Sequence, residues 1–141
     1  MIVKLLIGGC LMAFCVVIHA GGVTWALGRV RRHTSSTLQF WRGSWLFILV
    51  AAWMILLHLL EIAVWAAFYD WKGAMAGMQS AFYFSMVTYT TTGYGDLVLP
   101  PEWRLLGGIE ALTGILMAGW STGFFFAVAS RLHDRGDAAR I

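Results

Sequence analysis

The chain has 141 residues, 60% of them hydrophobic, and a mean hydropathy of +0.73. So apolar a composition excludes an ordinary soluble domain. The net charge of +3 does not indicate a nucleic-acid partner, because the basic residues gather in loops beside apolar runs.

A membrane span needs about 20 apolar residues, and three stretches qualify, near residues 2–27, 44–69 and 104–130. The first contains Cys10 and Cys15, which read as small hydrophobes rather than as a disulfide or metal pair. Gly8, Gly9, Gly21 and Gly22 would let it approach a neighbouring helix. Its Ile18-His19-Ala20 also fits a signal-peptide cleavage site. Continued apolar character through Trp25 and Leu27, followed by arginines, favours a retained helix, with His19 hydrogen-bonded to a neighbour.

Residues 29–43 form a basic loop with Arg29, Arg31, Arg32 and Arg42, suited to anionic lipid heads or simply to setting topology. Arg131, Arg135 and Arg140 follow the third span, whereas only Lys4, Lys72 and Arg104 fall on the opposite side. That imbalance predicts an inner-membrane, multi-pass protein with its N-terminus outside and its C-terminus in the cytoplasm. The second span has Trp41 and Trp45 at one end and Trp65, Tyr69 and Trp71 at the other, forming two interfacial aromatic belts.

A turn over residues 70–78 precedes an apolar segment, 79–90, that is too short to span. It predicts a helix that enters partway and returns, which is tolerated at membrane depth only inside protein or beside water. Its C-terminal dipole would place about half a negative charge at its inner end. Pro100-Pro101 then turns the chain, Trp103 anchors an interface, and residues 131–141 form a short charged tail.

The return segment reads Thr91-Thr92-Gly93-Tyr94-Gly95-Asp96. It resembles the selectivity filter of potassium channels, whose pattern is Thr-x-Gly-Tyr-Gly followed by Asp. The order of span, short helix, loop and span is similar to the two-helix channels found mostly in bacteria, over residues 44–130. The chemistry fits: a dehydrated potassium ion needs rings of oxygen, which backbone carbonyls from four chains supply. Alternate glycines, Gly93 and Gly95, relieve the backbone angles required. The resemblance implies that Thr91 adds a hydroxyl oxygen, Tyr94 packs behind the filter and Asp96 stands at the outer mouth. Thr92 departs from the valine common in the family. Val87 stands where several members carry a glutamate behind the filter, and the N-terminal span lies outside the two-helix pattern.

The third span then resembles the inner helix, with Gly114 at the bending position, allowing a one-residue deletion after Pro101, and Gly119 a turn later. Ile115, Ala118, Thr122 and Phe126 would share one face, lining a cavity with Phe126 as a candidate apolar gate.

Ionisable residues within spans are costly and therefore functional candidates. Glu61 and Glu110 lie at similar depths, about 10–12 Å from the outer ends of their spans. One or both are expected to approach the short helix in place of the missing glutamate. His58 shares a helix face with Glu61. A protonation switch is one role open to this pair, and a satisfied structural pair is the other. As metal ligands, two residues on one helix are too few.

The expected fold is an all-α membrane protein with three transmembrane helices, a re-entrant pore helix and a filter loop, assembled as a homotetramer among membrane lipids. It would comprise an N-terminal helix and basic loop (1–43), a pore domain (44–130) and a tail (131–141). The expected function is passive potassium conduction, with Thr91, Thr92, Gly93, Tyr94 and Gly95 holding the ion and no further cofactor. A weakly selective cation channel and a non-conducting scaffold or accessory subunit are the alternatives. No nucleophile–base pair is visible, so an enzyme is not expected.

Overall fold

A computed structural model describes residues 1–33 and 40–138, which form α1 (Ile2–His33), α2 (Phe40–Trp71), α3 (Met78–Tyr89) and α4 (Arg104–Ala138). No strand occurs among the described residues. Residues 34–39 of the basic loop and 139–141 of the tail lie outside them. The helices run further than hydropathy alone suggests: α1 continues to His33, and α4 carries most of the charged tail as helix, to Ala138. Polar residues end an apolar run without ending the backbone hydrogen-bond ladder that defines a helix.

Three helical stretches are long and apolar enough to cross a membrane: Ile2–Val30, Gly43–Trp71 and Arg104–Ser130. The chain is thus a multi-pass membrane protein. At 12 residues, α3 reaches only about 18 Å. It packs between α2 and α4, while α1 packs along both from the other side.

Close approach of α1 depends on two of its glycines. A Cβ at Gly8 would strike the Ile109 side chain, and one at Gly22 would overlap Leu57, whereas Gly9 and Gly21 face open space. The helix thus brings one small-residue stripe against its neighbours, using van der Waals contact where lipid offers no hydrophobic gain. Trp53 fixes the crossing by donating a 3.0 Å hydrogen bond to the Gly22 carbonyl and packing on Trp25 at 4.5 Å. At the opposite end Lys4 donates to the Glu102 carbonyl and lies over the Trp103 ring. The N-terminus and the Pro100-Pro101 turn therefore share one end of the bundle.

Two apolar clusters fill the interior. One contains Cys15, Ile62, Trp65, Tyr69, Phe84, Leu106 and Met117; the other contains Val23, Val50, Met54, Leu57, Phe124 and Val128. Between them in chain position fall His19, Glu61 and Ser121, all buried. A polar layer therefore divides an otherwise apolar bundle.

Candidate functional site

The loop that follows α3 begins by unwinding its last turn. The amides of Thr92 and Gly93 both donate to the Val87 carbonyl, at 2.9 and 3.3 Å, and Thr91 donates to Thr88 at 2.9 Å. Thr90 Oγ1 donates to the Met86 carbonyl and stands 2.9 Å from Thr92 Oγ1. The hydroxyl that replaces valine thus has a polar partner within its own chain.

Beyond this point the backbone alternates in hand. Thr91, Gly93 and Gly95 have φ of 59°, 57° and 79°, while Thr92 and Tyr94 between them keep negative values. A positive φ at a threonine is strained and marks a site where structure is held for a purpose. Alternating hand turns successive peptide planes to the same side, so that like backbone groups line one surface. Residues 91–98 are all exposed in the single chain, Tyr94 at 73%. Tyr94 therefore does not pack behind the loop within its own chain.

Asp96, at the far end of the loop, accepts a 2.8 Å hydrogen bond from the hydroxyl of Tyr83 on α3. Sequence reasoning looked to Val87 for a brace and found an apolar residue. Tyr83, one helical turn earlier, supplies the contact; its phenolic hydroxyl was the available signal. The hydrogen bond to Asp96 is the main reason the Tyr83 phenol lies above its ordinary range, with desolvation and the Asp96 charge adding to it. The exit turn is held by Arg104, whose Nε donates to the Leu99 carbonyl at 3.1 Å.

Gly114 is buried where α4 meets the end of α3. A Cβ there would overlap the Tyr89 carbonyl, so α4 approaches the base of the loop at backbone distance. Ile115, Ala118, Gly119, Thr122 and Phe126 are all exposed in the single chain. Ile115 and Ala118 share a cleft of about 460 Å³ with His58, Tyr89, Thr90 and Thr91. Phe126 is 74% exposed.

The two acidic residues matched in depth diverge in contacts. Glu110 accepts a 2.9 Å hydrogen bond from Tyr69 of α2, and the carboxyl group also lies near the Ser85 side chain of α3, without closing a hydrogen bond of ordinary geometry to it. Glu61 instead accepts from the hydroxyl of Tyr89, the last residue of α3. Its other oxygen lies 2.9 Å from His19 Nδ1 of α1.

These contacts close into a ring. From Glu61 it runs to Tyr89, then to His58 Nδ1 at 3.2 Å, from His58 Nε2 to Ser121 Oγ at 3.1 Å, from Ser121 to His19 Nε2 at 3.3 Å, and back to Glu61. Each of the five side chains carries one exchangeable proton when the set is neutral, and the ring has five bonds to fill. One proton per bond satisfies every member with no net charge. Such pairing, like an ion pair between Glu61 and His19, leaves no unpaired charge at membrane depth, where one is costly. Spacing in the sequence linked His58 to Glu61; it could not reveal that His19, 42 residues from Glu61, completes the set.

A family model described as an ion channel matches residues 44–131. Neither the curated proteins nor the solved structures gave a match.

Proposed function

Because the chain belongs to the ion-channel family, we propose that it is a potassium-selective channel whose pore is formed by residues 91–95 of four copies. The observation that carries this reading is the alternating backbone of Thr91, Gly93 and Gly95 within a Thr-Thr-Gly-Tyr-Gly-Asp sequence. Four such loops around one axis would stack rings of carbonyl oxygens in place of the ion's water shell, with the Thr91 hydroxyl as a further oxygen. Conduction is passive, along the ion gradient and membrane potential.

A homotetramer is supported by what one chain leaves uncovered. One loop cannot enclose an ion, and fourfold cyclic symmetry closes the ring. Tyr94 would find its packing partners on the neighbouring copy. The exposed face of Ile115, Ala118, Gly119, Thr122 and Phe126 would line the cavity beneath the filter, with Phe126 as the apolar gate. Asp96 would attract cations at the outer mouth. The end bearing Lys4, Asp96 and Glu102 faces outward in this reading, and the arginine-rich end faces the cytoplasm of a cell inner membrane.

Thr92 supports a second reading, a weakly selective cation channel. Its hydroxyl pairs with Thr90, where a valine would pack by shape alone, so the loop is held by fewer apolar contacts. Flux through purified protein in liposomes, with potassium inside and sodium outside, separates the readings. Potassium flux with sodium excluded supports selectivity; equal flux supports the second reading. Absence of flux from a folded tetramer overturns both and leaves a scaffold.

A further inference from the structure

We infer that His19, His58 and Glu61 form a binding site for a divalent transition-metal ion of the zinc class, placed beneath the last residue of α3. His58 and Glu61 alone, on one helix, are too few ligands for a specific site. The fold brings in the third from α1, and the three ligand atoms all lie within 4.8 Å of one another.

The spacing suits such an ion. Zinc bonds to imidazole nitrogen and carboxylate oxygen are about 2.0–2.2 Å, so neighbouring ligands of a tetrahedral ion stand about 3.4 Å apart. His19 Nδ1 is 2.9 Å from Glu61 Oε1, and His58 Nδ1 is 3.7 Å from Glu61 Oε2. They run to the two different oxygens of Glu61, so each imidazole stands near ligand spacing from its own side of one carboxylate. His58, the partly exposed member at 23% against zero for His19 and Glu61, is the ligand that would move to draw the set onto an ion. The Tyr89 hydroxyl, 3.2 Å from His58 Nδ1 and bonded to Glu61, is the nearest further oxygen; water is the other source of a fourth ligand.

The outer contacts suit it equally. Both histidines turn Nδ1 toward Glu61 and Nε2 toward Ser121, at 3.3 and 3.1 Å. Once Nδ1 of each binds the ion, each Nε2–H donates to the Ser121 hydroxyl oxygen, which has lone pairs for both. A metal-bound histidine nearly always donates its other nitrogen in this way, and that contact fixes ring and tautomer. The site also has a route in: His58 and Tyr89 line the 460 Å³ cleft that continues to Thr90 and Thr91. The carboxylate offsets one of the two charges of a divalent ion at this depth, and the donor set of two imidazoles and one carboxylate is borderline in softness, favouring zinc, cobalt or nickel over magnesium or calcium.

Cobalt(II) titration of the purified full-length protein tests this directly, because tetrahedral cobalt absorbs far more strongly in the visible than octahedral aqueous cobalt. The expected result is an intense spectrum saturating at one ion per chain and removed by added zinc. His58→Gln and His19→Ala, each confirmed as folded by size exclusion, should weaken binding by at least about 10-fold. Ser121→Ala, which keeps every ligand, should weaken it by about 10- to 100-fold, and Glu110→Gln should leave it unchanged. If His19→Ala does not fold, His58→Gln and Ser121→Ala still decide. A wild-type protein that shows only the weak octahedral spectrum, or equal affinity in His58→Gln, overturns the site. The readout is binding rather than flux, so it is independent of whether the chain conducts potassium.

Discussion

Gly114 of α4 lies directly against the backbone carbonyl of Tyr89, the last residue of α3. The contact joins the longest helix to the base of the proposed filter without an intervening side chain. Gly114→Ala cannot be accommodated by a rotamer change, since the obstacle is backbone. Overpacking of this kind costs about 1–3 kcal/mol, and more where backbone must move. The variant should lose thermal stability in detergent and assemble poorly, whereas Gly108→Ala, with open space around it, should not. Equal melting of the two variants would count against direct packing at this point.

The hydrogen-bonded ring makes an unusual prediction for Glu61. A glutamine can donate through its amide to His19 and accept through its carbonyl from Tyr89, reproducing a protonated glutamic acid. Glu61→Gln should therefore keep the ring closed and cost less than about 1 kcal/mol. Glu61→Leu opens the ring and removes one hydrogen-bond partner from Tyr89 and one from His19, leaving them only His58 and Ser121, and each buried group so deprived costs about 1–3 kcal/mol. The two variants should differ by at least about 1 kcal/mol in unfolding. A glutamine variant as unstable as the leucine variant would mean that the ring needs the carboxylate charge paired with a charged His19.

How much of this was legible beforehand follows from what each feature depends on. Span positions rest on composition along the chain, so three helices could be placed from hydropathy. The loop rests on local residue types, and Gly93 and Gly95 announce their backbone hand. The ring rests on helix rotation and partner choice. Counting residues put Glu61 and Glu110 at one depth, but depth does not state direction, and Glu110 turns to Tyr69 while Glu61 turns to Tyr89. His19 was expected to hydrogen-bond a neighbouring helix and does so, but nothing near it in sequence named Glu61 as the partner. Tyr83 was hidden differently, because the family pattern points to Val87, the position at which related channels carry a brace.

In the proposed filter, Gly95 has φ of 79°, and nothing lies within 4 Å of the place a Cβ would occupy. Gly95→Ala therefore meets no steric neighbour within the chain, and its cost is conformational, about 1–2 kcal/mol. The protein should fold and insert while potassium flux falls at least about 10-fold, since a rotated peptide removes a ring of carbonyls from all four chains. Wild-type flux in this variant would argue against a carbonyl-lined path through Gly95.

Phe126 tests the gate. It lies on the exposed face of α4, one of the residues that would line the cavity in the tetramer. A ring of four phenylalanines would hold a dry constriction, and alanine would widen it enough to admit water. Phe126→Ala should raise the resting potassium leak with selectivity intact. Unchanged leak would return Phe126 to packing against lipid or a neighbouring helix.

The contact between Tyr83 and Asp96 braces what would be the outer mouth of the proposed filter. Both groups are exposed, so the bond contributes little to global stability, and Tyr83→Phe should melt as wild type does. Its effect should fall on the loop, where the freed carboxylate no longer holds the outer end of residues 91–96 against α3. Potassium flux should then decline with time under a sustained gradient. The pH dependence has a definite sign. The native contact uses the protonated phenol, whose value lies above the ordinary 10.0 because it donates a hydrogen bond to Asp96. The brace is therefore complete below the ordinary tyrosine range and is lost only as pH rises through the raised value. From about pH 6 to about pH 9, wild-type flux should stay steady in time while the phenylalanine variant declines throughout. Raising the pH further should make the wild type behave like the variant. Equal steadiness of the two proteins at neutral pH would leave Asp96 held by something other than Tyr83, and the neighbouring copy would be the place to look.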